Sequence, residues 1–520
     1  MIARPHRCLP LIVMLASLSL TAAAAGTDKS PNILFIYTDD HSHRTVSCYD
    51  AAFPWVKTPH IDQLAKRGVR FTHAYIGTWC MPSRATLLTG HHPYAIESMR
   101  MEGEYPGSEY DPAKCPFWPA VFRKQGYHTA QIGKWHTGTD TGFGRDWDHQ
   151  IVWNRPRHID NAGAYYNNQL IERDGGKAKL TKGYTTDNYT DWAIEYIRGK
   201  NRPSDKPWYL WLCFGAVHGP FTPADRHLPA YPDIDVPTPA DIYPPRKGKP
   251  QWQQEIKKWE LDDQGRPSMV GGAFGGKTVE GAKGVHGNTL ADWVRQYHQG
   301  VLAIDEAVGR LMDTLRETKQ LDNTMVIFTS DQGFAWGQHG FCSKLAAYDA
   351  TVRSPLIISY PGLTAEGTVC ASPVGGVDLI PTIFKTAGIE LPWKMHGHDL
   401  TPLLKDPQAK WRRPVLLSLQ SRMYGSDTHE IPAADEQKLA GVPWWVFLVQ
   451  GRYKYVRTMI AGEVEELYDL KKDPDELVNL ARQPKHRKRV ERMRAATLKE
   501  LRRTDAGFVD NLPAPKNLGE

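Results

Sequence analysis

Pro31-Asn32-Ile33-Leu34-Phe35-Ile36-Tyr37-Thr38-Asp39-Asp40 is the stretch on which the fold turns. A continuous apolar run that stops at two acids reads as a parallel strand buried on both faces and ending at a crevice. Ligands in open α/β sheets gather at the carboxyl ends of such strands. Asp39 and Asp40 are therefore candidate metal ligands, although a lone pair of loop aspartates more often serves as a turn or helix cap. Working outward, Thr58-Pro59 opens a helix with Ile61, Leu64 and Ala65 on one face, closed at Gly68. Val69 to Tyr75 returns as a second strand. The alternation of strand and helix predicts an α/β fold with a large, mostly parallel sheet.

That second strand leads to Thr78-Trp79-Cys80-Met81-Pro82-Ser83-Arg84-Ala85-Thr86-Leu87-Leu88-Thr89-Gly90. Ala85 to Leu88 read as the first turns of a helix, which places Cys80 near its N-terminus. The free N–H groups and the dipole there suit an anionic ester and favour a thiolate. A lone cysteine is ordinarily a small buried hydrophobe. Here Cys80, Pro82, Ser83, Arg84, Leu88, Thr89 and Gly90 together resemble the signature of type I sulfatases of the alkaline phosphatase superfamily. In that family the cysteine is converted to formylglycine (3-oxoalanine).

Three further apolar strands end in polar residues. Tyr127 to Ile132 delivers Gly133-Lys134-Trp135-His136, and Pro207 to Phe214 delivers His218-Gly219-Pro220. Thr324 to Ser330 delivers Asp331-Gln332-Gly333, after a helical stripe through Val294, Tyr297, Val301, Leu302, Ile304, Val308, Leu311 and Leu315. Taken singly, Lys134, His136 and His218 read as ordinary loop residues. A second apolar strand ending in metal-type oxygens strengthens the first, since Ca²⁺ takes about 6–8 oxygen ligands from carboxylates and amides. Asp39, Asp40, Asp331 and Gln332 offer that chemistry. Further on, Gly337 to Lys344 resembles the family segment whose lysine completes the sulfate site.

The resemblance implies a formylglycine at position 80 that attacks sulfur as its hydrate and is also a metal ligand. Arg84 and His136 would hold the hydrate, Lys134 and Lys344 would bind sulfate, and His218 would act as general acid, with Lys344 the alternative. His136 would then serve as base. The family commonly has Asn where this chain has Gln332, so Gln332 is the departure among the ligands. Two rivals stay in view: a phosphate or phosphonate ester hydrolase of the superfamily, which would carry the same motifs with an unmodified Cys80, and a non-catalytic glycan-binding relative, whose mark would be loss of metal or sulfate ligands that this chain retains.

The remaining sequence supplies context. Arg4, His6 and Arg7 precede an apolar core from Leu9 to Leu20 and the small residues Ala22 to Ala25, so residues 1–26 read as a secretory signal peptide. The apolar run falls short of the roughly 20 residues a membrane span needs, which predicts a periplasmic or secreted protein without integral membrane association. The expected organisation is a catalytic domain over 27–406, interrupted by a Pro- and Gly-rich insertion at 223–289, and a C-terminal subdomain of short strands and a helix over 407–520. That insertion could form a wall of the substrate pocket. A net charge of +6 on 520 residues does not argue for nucleic acid, and the basic stretch 485–503 reads as a solvated amphipathic helix. Seven cysteines are too few for a disulfide scaffold. The expected partners are a sulfated saccharide or other sulfate ester and, during maturation, a formylglycine-generating enzyme.

Overall fold

The computed structural model describes residues 30–97, 99–100, 109–271 and 287–516. The expected signal peptide and most of the glycine-rich centre of the 223–289 insertion lie outside the described residues. In chain order the main elements are β1 (Asn32–Thr38), α1 (Pro59–Lys66), β2 (Val69–Tyr75), α2 (Cys80–Thr89), α3 (Pro119–Lys124), β3 (His128–Trp135), β4 (His149–Asn154), β5 (Gln169–Arg173) and β6 (Lys179–Thr181). They continue with α4 (Thr185–Ile197), β7 (Trp208–Cys213), α5 (Leu290–Glu317), β8 (Thr324–Ser330), β9 (Arg353–Ser359), β10 (Thr368–Cys370), β11 (Val374–Gly375) and α6 (Gly376–Ala387). The last are β12 (Val415–Leu419), β13 (Trp445–Gln450), β14 (Tyr453–Thr458), β15 (Glu466–Asp469) and α7 (Arg487–Arg503).

Strands β1 to β11 form one mixed, eleven-stranded sheet in the order β10-β2-β9-β8-β1-β7-β3-β4-β5-β6, with β11 also on β2. Its central run β8-β1-β7-β3-β4 is parallel throughout. The apolar run of β1 is explained by burial on both faces. Ile33, Phe35 and Tyr37 point into a core shared with α2, α3 and α6, while Leu34 and Ile36 point into a core shared with α1, α4 and α5. Along α5, Val294, Tyr297, Val301, Ile304, Val308, Leu311 and Leu315 are buried, each worth roughly 1.5–3 kcal/mol of transfer free energy, whereas Leu302 of the expected stripe is half-buried because it lies beside Val301 at the margin of that face. A capping box between Thr289 and Asp292 fixes where α5 begins.

Strands β12 to β15 form a separate four-stranded antiparallel sheet. One face, through Leu417, Phe447 and Val456, joins the core beneath α2 and α6. The other packs on Val490, Met493 and Leu501 of α7, so α7 is amphipathic as its spacing implied. The fold is thus a large, mostly parallel sheet between helical layers with a smaller antiparallel sheet beside it.

Two local expectations are corrected. Helix α2 starts at Cys80, five residues before Ala85, because Pro82 falls in the first turn, where its missing N–H leaves no bond unmade. Strand β3 runs on through Gly133 and Lys134 to Trp135, so only His136 of that motif lies beyond it. Gly133 is required at its place: φ is +105° and a Cβ would come within 2.1 Å of the Cys213 carbonyl oxygen on β7.

Candidate active site

The carboxyl ends of β1, β3, β7 and β8 converge with the first turn of α2. Asp39 follows β1 and Cys80 opens α2, and the thiol donates to Asp39 Oδ1 across 3.3 Å. Arg84, one turn further along α2, donates from Nη2 to Asp39 Oδ2 at 3.0 Å and from Nη1 to the Lys134 carbonyl at 3.1 Å. The Lys134 ammonium also pairs with Asp39 Oδ2. All four side chains are buried. Burial alone would raise the Asp39 carboxyl, but Lys134 and Arg84 reverse that and hold it well below the usual carboxylate range.

Asp40 has φ of 55°, a left-handed conformation that aspartate tolerates better than most residues. It turns the side chain toward Lys344 and Gln332, both of which contact Oδ1. Asp331 is the hub behind it, with Oδ1 accepting from the backbone N–H groups of Asp40 (2.8 Å) and Gln332 (3.0 Å). Burial, then the charges of Asp39 and Asp40, push the Asp331 carboxyl up to about 7. Asp331 Oδ2 and Gln332 Oε1 are buried and have no hydrogen-bond partner.

Lys344 reaches in from the loop after β8, with Nζ 3.1 Å from Cys80 Sγ. His218 Nδ1 lies 2.7 Å from the Gly219 carbonyl oxygen, which can only accept, so Nδ1 carries the proton and Nε2 is the pocket-facing atom. Nε2 lies 3.7 Å from Asp40 Oδ2. Burial and then Lys344 depress the His218 imidazolium well below its ordinary value. His136 is fully buried, and burial followed by Arg155, Lys134 and Arg84 keeps it neutral.

One expectation about Cys80 reverses. A helix N-terminus favours a thiolate, but burial and the adjacent Asp39 outweigh it and push the thiol up to about 12, with Lys134 and Lys344 opposing only in part. Cys80 is unpaired with any other cysteine and holds its proton.

Every sequence-predicted site residue except His136 and His218 contacts another predicted one within this pocket through a hydrogen bond or ion pair, and His218 Nε2 comes within 3.7 Å of Asp40. His136 joins through Arg155, whose Nη1 lies 3.1 Å from Nε2 and 3.2 Å from Nδ1. Arg155 and Tyr165, whose ring stacks on His218, escaped sequence reasoning. They lie between β4 and α4 in a polar stretch with no periodicity to mark them. The 223–271 part of the insertion braces the Lys344 loop. Asp241 accepts from the His339 backbone N–H at 2.8 Å, and Gln253 donates to the His339 carbonyl at 2.8 Å.

A family model described as "Sulfatase" matches residues 31–389, which contain this whole pocket. The chain belongs to the sulfatase family. A second model, "N-sulphoglucosamine sulphohydrolase, C-terminal", matches 337–504 of this sulfatase. The sulfatase is 30% identical to an N-acetylglucosamine-6-O-sulfatase of Bacteroides thetaiotaomicron, over 97% of its own length and 92% of the relative's. It is 27% identical to a choline-sulfatase of Rhizobium meliloti, over 88% and 84% of the two chains. A solved structure titled as a complex with its substrate D-glucosamine-2-N,6-O-disulfate superposes with a TM-score of 0.75 at 26% identity, covering 93% of this chain and 99% of that one. The protein is a sulfuric ester hydrolase of alkaline-phosphatase-like fold. No described helix is long and apolar enough to cross a membrane.

Proposed function

We propose that this sulfatase cleaves sulfate from a saccharide, with a 6-O-sulfated glucosamine derivative the first candidate, using formylglycine at position 80 and a Ca²⁺ ion. The reading rests on one juxtaposition. Cys80 sits at the head of α2 between the cations Lys344, Lys134 and Arg84 and the acids Asp39 and Asp40. The similarity to an N-acetylglucosamine-6-O-sulfatase over nearly the whole chain supplies the substrate class.

The residues fit both groups. Ligand atoms of Asp39, Asp40, Cys80 and His218 lie within 4.8 Å of one another, the one such acidic or metal-binding group among the described residues. The unpartnered Asp331 Oδ2 and Gln332 Oε1 beside them add hard oxygen donors suited to Ca²⁺. Asp39, Asp40, Asp331, Gln332 and position 80 would hold the ion. When present, formylglycine supplies an oxygen nucleophile and Ca²⁺ supplies positive charge toward sulfate. The Cys80 sulfur stands in for the oxygens of the formylglycine hydrate.

Lys344 and Lys134 provide fixed positive charge for the sulfate oxygens in a buried, low-dielectric pocket, where it counts most. Arg84 ties α2 to the Asp39 carboxylate and so fixes position 80 relative to the acids. Neutral His136 can take a proton from position 80. His218 Nε2 faces the pocket and, once the ring takes up a second proton there, would give it to the leaving alcohol; Lys344, which stays charged, is the alternative donor. The catalytic unit would span 27–406 and the smaller subdomain 407–520. Residues 1–26 would direct export to the periplasm or beyond, with a formylglycine-generating enzyme acting on Cys80 on the way.

The deciding experiment is the mass of the tryptic peptide containing position 80, from protein made beside a formylglycine-generating enzyme. Turnover of N-acetylglucosamine 6-sulfate, choline sulfate and 4-nitrophenyl phosphate would be compared in the same preparation. An aldehyde at position 80 with preference for the sugar ester is expected. A thiol alongside a matured control sulfatase, or preference for either other ester, would overturn the reading.

A further inference from the structure

We infer that Tyr165 is a positioning residue that sets the ring plane of His218 and thereby aims Nε2 at the leaving-group oxygen. The inference rests on the proposed acid role of His218 and goes beyond it. The Tyr165 and His218 rings are stacked at 4.0 Å between centroids and 5° from coplanar. An imidazole turning about Cβ–Cγ must break either the Nδ1–H bond to the Gly219 carbonyl or this stack, so two independent contacts fix one torsion.

Tyr165 is itself immobilised. It is 4% exposed, and its ring meets Trp153 edge-to-face at 4.9 Å between centroids. Its carbonyl accepts from Thr185 Oγ1 at 2.7 Å, which anchors it to the first turn of α4. The neighbouring Tyr166 hydroxyl donates to the His218 carbonyl at 2.5 Å, holding the backbone of the same histidine. Lys134 Nζ lies 5.1 Å from the Tyr165 ring centroid and 3.5 Å from its hydroxyl, and the Arg155 guanidinium lies 4.9 Å from that centroid. One ring therefore touches the proposed proton donor and two cations, one of which pairs with Asp39.

A core aromatic that merely fills space would, when truncated, slow all substrates alike. A residue that aims a proton donor has a different signature. An ester whose leaving group is a stable phenolate needs little protonation, whereas a sugar alcohol needs it fully. The test measures kcat/KM for aryl sulfates from 4-nitrophenyl to 4-methoxyphenyl, with N-acetylglucosamine 6-sulfate at the far end. Tyr165→Leu, Tyr165→Phe and His218→Gln are compared with wild type, each checked for thermal midpoint and for the mass at position 80. Tyr165→Leu should cost about tenfold to a hundredfold on the poorest leaving groups and less than about threefold on 4-nitrophenyl sulfate. Tyr165→Phe, which keeps the stack, should restore the wild-type leaving-group slope.

An equal loss across the series, or no loss, overturns the inference. If His218→Gln leaves the slope unchanged, the acid assignment itself fails. If His218→Gln steepens it and Tyr165→Leu does not, only the positioning inference fails. Should Tyr165→Leu not fold, Tyr165→Met removes the ring with less loss of volume and reads the same slope.

Discussion

Lys344 holds its ammonium 3.1 Å from the Cys80 sulfur although 264 residues separate them. The lysine is raised well above its ordinary value; burial opposes this, but Asp40 and the other acids prevail, so it remains charged at any working pH. A fixed charge aimed at the reacting centre is typically worth about 10²–10³ in rate. Lys344→Ala should therefore lower kcat/KM by that order with conversion of position 80 unchanged. Steady-state kinetics beside peptide mass spectrometry checks this, and a loss under about fivefold would remove Lys344 from the sulfate site.

Cys80→Ala tests the nucleophile. Cys80 is buried but small, and among the described residues its thiol hydrogen-bonds with Asp39 and Lys344. Losing one weakly bonded sulfur leaves the buried packing of α2 and its Gly90 C-terminal cap in place, so circular dichroism and the thermal midpoint should stay near wild type while turnover disappears. Wild-type-like turnover in Cys80→Ala would sink the formylglycine mechanism.

The reach of sequence reasoning here follows the physics of each element. Buried parallel strands print as uninterrupted apolar runs, so the ends of β1, β7 and β8, and the acids or histidine just past them, could be located one by one. The start of α2 could not, because Pro82 looks like a helix breaker until its place in the first turn is known. The protonation of Cys80 depends on Asp39, 41 residues away, and no local pattern encodes it. Arg155 and Tyr165 are single residues in an aperiodic stretch, visible only when β4 and α4 bring them against His136 and His218. The bracing of the Lys344 loop by Asp241 spans 98 residues and was equally silent.

Calcium and protons should compete at Asp331. Its carboxyl is raised to about 7 by burial and by Asp39 and Asp40, above its unfolded value. A raised acid favours the protonated fold, so this group's contribution to the metal-free fold is present at low pH and is lost as pH rises through about 7. A cation that takes the proton's place relieves that penalty. The gain in thermal midpoint on adding Ca²⁺ to chelator-treated protein should thus be larger near about pH 8 than near about pH 5.5. The same gain at both values, or none, would argue against Asp331 as a ligand.

Lys454 is a buried cation outside the active site. It lies on β14 with no exposure, its Nζ 2.8 Å from Asp349 Oδ1 and 2.9 Å from Glu476 Oε1. Asp349 in turn accepts from the Tyr75 hydroxyl on β2 at 3.0 Å, so the cluster joins the small sheet to the large one. Burial would raise Asp349, but Lys454 and then Arg353 hold it well below the usual carboxylate range. Glu476 is raised to about 7 by burial, with Lys454 opposing. Lys454→Met keeps most of the volume and leaves two buried carboxylates without their shared cation, which should cost about 3–5 kcal/mol. Without Lys454 both carboxyls move further up, and the Glu476 proton binds more readily as pH falls. The deficit should therefore be largest near about pH 8 and shrink toward about pH 5.5, and adding Glu476→Gln should recover part of it at the higher pH. Urea unfolding of the three proteins at both values measures this. A deficit independent of pH would mean that lost packing, rather than stranded charge, dominates at this joint.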